Sequence, residues 1–334
     1  MQQYKFIILL LILSIQSCET QTNKINGVSF VASRESVNES HIYPVVNVNA
    51  NYAAIMPFGF IESLEHPEIF HNTDRQWFGE TAKGAKQYIE ELRKKHIKIM
   101  LKPQIWVWHG EFTGFIEMKN ETDWKTLETS YSNFILEYAE LANEVKAEIF
   151  CIGTELEKFI ENRPEFWINL IRKIKTKYRG KLTYAANWDE YKRTPFWSNL
   201  DFIGVDAYFP VSDSKTPTVD ECLKAWKTHK QLVYNTSLKH SKPVLFTEYG
   251  YRSVDYSGKA PWVSDRNIGQ VNLEAQTNAT KALFETFWKE DWFAGGFIWK
   301  WFHSHDKVGG EDNVMFTPQN KPAEAVLRKQ YSSK

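Results

Sequence analysis

The sequence predicts a single (β/α)8 barrel, and three observations predict it. Eight short apolar runs of strand character are separated, for the most part, by stretches of helical spacing. Such alternation implies parallel strands joined by crossover helices. The pattern occupies about 300 residues, the size of that fold. No repeat, low-complexity segment or linker divides it, although 334 residues exceeds the usual length of one domain. An open doubly wound sheet is the competing architecture, but no Gly-rich phosphate loop follows any of the runs.

In chain order, Gly27 to Ala32 reads as the first strand and Val45 to Met56 as carrying the second. Glu62 to Arg75 has Pro67, two histidines and little periodicity, and reads as a long loop. Phe78, Ala82, Ala85, Ile89 and Leu92 recur at helical spacing, which predicts a helix over 79–95. Ile97 to Pro103 is the third strand, and Gln104 to His109 continues from its end. A stripe from Trp124 to Ala142 predicts a long helix with Asn120 as its N-cap. The fourth strand then ends on Glu155.

Pro164 opens the next helix and Gly180 stops it. Leu182 to Trp188 and Leu200 to Tyr208 are strands five and six. Thr218 and Glu221 have capping-box spacing for a helix running to about Leu238. Pro243 to Thr247 is the seventh strand and delivers Glu248. A helix over 271–289, an eighth strand from Ala294 to Trp299 and a last helix over 323–329 complete the pattern.

The residue content is 43% apolar and 25% charged, enough to bury a large core. Formal charge is 0, and no basic or acidic block stands out, which argues against nucleic acid and polyanionic partners. Aromatic residues make up 15% of the chain and include 13 Trp. Those rings serve either a Trp-rich core or platforms for the apolar C–H faces of sugars.

At the N-terminus, Lys5 precedes the apolar run Phe6 to Leu13, too short to span a bilayer and fitting the core of a signal peptide. Ile15-Gln-Ser-Cys18 resembles a bacterial lipobox, with Gln16 a poor match. The expected organisation is a signal peptide over 1–17, a tether over 18–26 and a catalytic domain over 27–334. Cys18 would carry a lipid and hold the protein at the outer membrane or cell surface, within the bacterial cell envelope; plain secretion is the alternative. Cys151 and Cys222 fall in strand and helix patterns, so they are expected as buried thiols and not as a disulfide or metal pair.

Active sites of such barrels lie at the C-terminal ends of the strands. Those ends carry Lys102, Gln104, Trp106 and Trp108, then Glu155, Asn187 and Trp188, Asp206 and Tyr208, Glu248 and Trp299. Acids, amides and aromatics dominate, with no His–Asp–Ser arrangement. Cleavage of a glycosidic bond needs one carboxylic acid to protonate the leaving oxygen and a second carboxylate to attack or to activate water. Either glutamate alone is explicable as an ion-paired strand end. Two together, on the fourth and seventh strands, match a site for a neutral sugar.

The stretches Lys102-Pro-Gln-Ile-Trp106, Ile152-Gly-Thr-Glu155, Tyr184-Ala-Ala-Asn-Trp188, Gly204-Val-Asp-Ala-Tyr208, Phe246-Thr-Glu-Tyr-Gly250 and Gly296-Phe-Ile-Trp299 carry a resemblance. The chain resembles the retaining glycoside hydrolases of the large (β/α)8 clan with acids on strands four and seven. Within that clan it is most similar to family 113, the β-1,4-mannanases. The resemblance spans roughly residues 27–329. It implies that Glu155 is the general acid/base and Glu248 the nucleophile of a double displacement. Tyr208 would orient Glu248, and Trp299 would floor the cleaved sugar. Lys102, Gln104, Trp106, Trp108 and Trp188 would line the cleft. Most clan members place Asn before the acid/base, where this chain has Thr154. That leaves the holder of the substrate 2-hydroxyl open, with Asn187 a candidate.

The expected partner is a β-linked polysaccharide or oligosaccharide, acted on by a monomer with no cofactor or metal. His303, His305 and Asp306 have poor spacing for a metal and read as a loop bordering the cleft, as do His109 and Glu111. Glu157 is expected to cap or salt-bridge at the following helix. Two readings compete with mannan cleavage: the same chemistry on another β-glycan, and a non-catalytic glycan-binding lipoprotein.

Overall fold

A computed structural model describes residues 24–264 and 269–333. The expected signal peptide and the lipidation residue Cys18 lie outside the described residues. Among those described, no helix is long and apolar enough to cross a membrane.

Eight parallel strands close into a barrel. In chain order they are β1 (Ile25–Phe30), β2 (Tyr52–Ile55), β4 (Lys98–Leu101), β6 (Ile149–Thr154), β7 (Lys181–Asn187), β8 (Ile203–Asp206), β9 (Val244–Tyr249) and β10 (Phe293–Trp301). Two further strands, β3 (Phe58–Ile61) and β5 (Gln104–Val107), follow β2 and β4 directly and pair with each other in a separate parallel sheet. This small sheet extends one side of the barrel mouth into a wall. The sequence reading of a strand that simply continues past Pro103 misses this break. Pro57 and Pro103 stand between the barrel strands and their extensions, where a missing N–H ends a ladder.

Helices connect most of the barrel strands: α1 (Glu39–Asn47), α2 (Ala82–Arg93), α3 (Glu121–Glu144), α4 (Glu157–Asn162), α5 (Pro164–Lys177), α6 (Val219–His240), α7 (Leu273–Phe287) and α8 (Pro322–Ser332). Asn120 caps α3, Pro164 is at the start of α5, and Thr218 and Glu221 form the capping box of α6. One expected strand is corrected. Val45 to Asn47 belong to α1, not to the second strand. Pro44 inside this helix hides it from a periodicity search, yet Asn38 caps it and Ile42 and Val45 bury its inner face.

The barrel interior is filled below the mouth by Ile25, Ala54, Met100, Ile149, Ala185, Leu245 and Phe297. The much larger apolar layer between strands and helices absorbs most of the aromatic content, including buried Trp167, Trp197, Trp226 and Trp301. Cys151 and Cys222 are both buried and free.

Candidate active site

The two acids arrive by different routes. Glu248 is the fifth residue of β9 and is 6% exposed. Glu155 follows β6 directly and takes a left-handed backbone, φ 50°. Its N–H donates to Ala185 O at 2.8 Å, and its carbonyl accepts from Thr113 Oγ1 at 3.1 Å. Gly153 lets this strand end pass close to its neighbours, since a Cβ there would lie 2.7 Å from Tyr131 Oη. Gly250 does the same after Glu248, where a Cβ would meet Trp299 O at 2.6 Å.

Both oxygens of Glu248 are held. Oε1 accepts from Lys102 Nζ at 2.5 Å and Gln104 Nε2 at 3.1 Å, and Oε2 accepts from Tyr208 Oη at 2.7 Å. Asp206 sits behind, fully buried, with Lys102 Nζ 3.4 Å from each of its oxygens and Thr247 Oγ1 donating to Oδ1 at 2.7 Å. Donors aimed at a carboxylate favour its charged form.

Glu155 lies in a different field. Burial pushes its carboxyl well above the usual range, and the nearby Asp206 and Glu248 add to the shift. Burial also pushes Asp206 up to about 7, with Glu248 contributing and Lys102 opposing. Burial alone would strip the proton from Lys102, but Asp206 and Glu248 outweigh it and hold its ammonium above the ordinary range. One buried cation thus faces three carboxyls, and two of them, Glu155 and Asp206, are pushed toward the protonated form.

A cleft of about 1840 Å³ opens over this centre. Glu155, Glu248, Gln104, Trp106, Trp108, Asn187, Trp188, Tyr208 and Trp299 all line it, so the structure brings nearly all the sequence-predicted positions together. Lys102 is the exception. It is 0% exposed and lies beneath the cleft, so its expected place on the wall is corrected to one under Glu248. A lysine stem running up the barrel interior explains this: its only polar atom reaches two carboxylates from below.

Further lining residues come from loops. Trp77 stands 45% exposed over Arg34, and Trp262, 45% exposed, stacks on Trp188 with ring centroids 5.1 Å apart. Neither follows a strand, so no strand-end search would find them. Asp206 is visible in the sequence as a strand-end acid, but its pairing with Lys102 spans 104 positions and leaves no local signal. Glu157 opens α4 and pairs with Arg193. His305 meets Glu324 at 3.0 Å, and His303 packs edge-on against His41. Among the described residues, no group of three or more His, Cys, Asp or Glu is placed to hold a metal ion.

The sequence model of Glycoside Hydrolase Family 113 matches residues 32–321. The chain belongs to that family. It is therefore a glycoside hydrolase. Among solved structures it is similar to a GH113 β-mannanase from Alicyclobacillus acidocaldarius, with 24% identity, TM-score 0.82, and 93% of this chain and 98% of that one covered. A second GH113 β-1,4-mannanase, solved as a complex, superposes with TM-score 0.81 at 21% identity over 93% of this chain and all of the other. A Ruminococcus gnavus β-glucuronidase shares the barrel at TM-score 0.62 and 12% identity, over 92% of this chain and 49% of that one. No curated protein matches the sequence.

Proposed function

We propose that the chain cleaves β-1,4-mannosidic bonds in mannan- or glucomannan-type substrates by double displacement. Glu248 attacks the anomeric carbon and forms a glycosyl-enzyme ester. Glu155 gives its proton to the departing oxygen, then takes one from the water that hydrolyses the ester. The observation that carries this reading is the inequality of the two acids. Glu248 accepts three hydrogen bonds, from Lys102, Gln104 and Tyr208, which fix both of its oxygens at the floor of the cleft. Glu155 sits where burial, with Asp206 and Glu248 nearby, pushes its carboxyl well above the usual range, toward the protonated form an acid needs.

In this reading Trp299 floors the cleaved sugar, and Trp106, Trp108 and Trp188 stack on neighbouring ones, while Asn187 is placed to meet a hydroxyl. The similarity to two β-mannanases favours a manno-configured substrate. Release of reducing ends from mannan, glucomannan and β-glucan, measured on wild type, Glu155→Ala and Glu248→Ala, tests the proposal. Wild-type activity on mannan, lost in both variants, supports it. Activity on β-glucan alone would replace the substrate. Full activity in Glu248→Ala would end the double-displacement reading.

We also propose that a lipid on Cys18 anchors the protein, as a monomer, in the cell envelope. Cys18→Ala should move it from the membrane fraction to the soluble fraction. Unchanged fractionation would contradict the anchor.

A further inference from the structure

Glu155 holds a left-handed backbone, which a non-glycine residue adopts only at a cost. Such a conformation persists only where its surroundings enforce it. Two of its restraints act on the residue itself, from Ala185 O and Thr113 Oγ1. The third acts on the next peptide: Leu156 N–H donates to Tyr184 Oη at 2.6 Å. Tyr184 is fully buried, and its hydroxyl lies 2.8 Å from Glu190 Oε1. Glu190 Oε2 accepts from Asn187 N–H at 3.0 Å.

Glu190 is 2% exposed and sits in the turn after β7, outside the cleft. Burying a carboxyl is costly unless its oxygens are bonded. The bond to Asn187 N–H closes a turn, which a surface acid does equally well. The second oxygen serves no turn and, among the described residues, meets the Tyr184 hydroxyl that supports the peptide after Glu155.

We propose that Tyr184 and Glu190 form a positioning pair that fixes the direction of the Glu155 carboxyl toward the glycosidic oxygen. Neither side chain lines the cleft, so each acts through the backbone. The inference rests on Glu155 being the proton donor. A misdirected donor slows cleavage when the leaving group needs a proton, and has little effect when it does not.

Tyr184→Phe and Glu190→Gln are compared on two substrates, with Glu155→Ala as reference. One is an unactivated β-glycan oligosaccharide that the wild type cleaves, mannohexaose in our reading. The other is 2,4-dinitrophenyl β-mannobioside, whose leaving group departs without a proton. Misplacing a catalytic group by about 1 Å costs on the order of 100-fold. We therefore expect both variants to lose about 10- to 100-fold in kcat on the oligosaccharide, with KM little changed. On the activated substrate kcat/KM should stay within about threefold, and thermal unfolding should remain cooperative. Equal losses on both substrates, or full kcat on the oligosaccharide in folded protein, would overturn the pair. If Glu155→Ala itself shows no preference for the activated substrate, the assignment of the proton donor has failed instead. Should Tyr184→Phe not fold, Glu190→Gln alone decides.

Discussion

Lys102 Nζ lies 2.5 Å from Glu248 Oε1, and both side chains are buried at the base of the cleft. The lysine rises from the end of the third barrel strand to reach a carboxylate on the seventh, 146 positions away. Asp206 shares the same ammonium. Removing the cation leaves two adjacent carboxyls, and a lost positive neighbour raises a carboxyl pKa. Lys102→Met should therefore lower kcat/KM by about 100-fold or more near pH 6 and move the acidic limb of the pH–rate profile upward. Breaking a buried pair on one side also costs about 3–5 kcal/mol, to be read in urea unfolding. An unmoved acidic limb in a folded variant would show that Lys102 does not set the charge of the buried carboxyl cluster.

The buried acids Glu190 and Asp206 should cost stability as pH rises from 5 to 8. Burial pushes Glu190 up to about 8 from 4.5 and Asp206 up to about 7 from 3.8. The folded chain thus keeps protons that the unfolded chain releases. Their contribution is fully present below about pH 4 and is lost as pH rises through 7 to 8, at up to about 1.4 kcal/mol per pH unit for each group. Burial lowers His229, His240 and His303, which opposes the trend below their usual range, and lowers Lys321 to about 7 from 10.5, which opposes it above pH 7, so the comparison of Glu190→Gln with wild type isolates the one group. Glu190→Gln cannot titrate, so its urea midpoint should fall less between pH 5 and pH 8 than that of wild type. Equal falls would show that Glu190 does not hold its proton in the folded state.

The exposed rings predict a binding effect without a chemical one. Trp106 is 50% exposed and Trp262 is 45% exposed, so truncation leaves the core intact. Each stacking face contributes about 1 kcal/mol. Trp106→Ala and Trp262→Ala should each raise KM for a long oligosaccharide by about fivefold and leave kcat within twofold. Isothermal titration with an inactive Glu155→Ala background checks the same numbers directly.

Much of this was legible in the sequence because both signals involved are local. Eight apolar runs with helical spacing between most of them specify a barrel, and a barrel's chemistry gathers where its strands end. That logic put Glu155, Glu248, Tyr208 and Trp299 at the strand ends, and all four line the cleft. It failed where structure depends on distant pairing. The helix containing Pro44 breaks its own periodicity and is held by burial against the barrel. The small β3–β5 sheet exists only because two proline-interrupted strands lie side by side. Lys102 reads as a cleft residue until Asp206 and Glu248 are seen above and beside it. Glu190 gives no sequence signal, because its second oxygen meets Tyr184 only in the folded chain.

The most direct measurement is identification of the attacking residue. A 2-deoxy-2-fluoro-β-mannoside with a good leaving group slows hydrolysis of the glycosyl-enzyme and lets it accumulate. Peptide mass spectrometry after brief incubation should find the added sugar on Glu248 alone, and the label should turn over when an acceptor is supplied. A sugar ester on Glu155, or rapid product release of inverted configuration with no labelled peptide, would contradict the assignment of Glu248 as nucleophile.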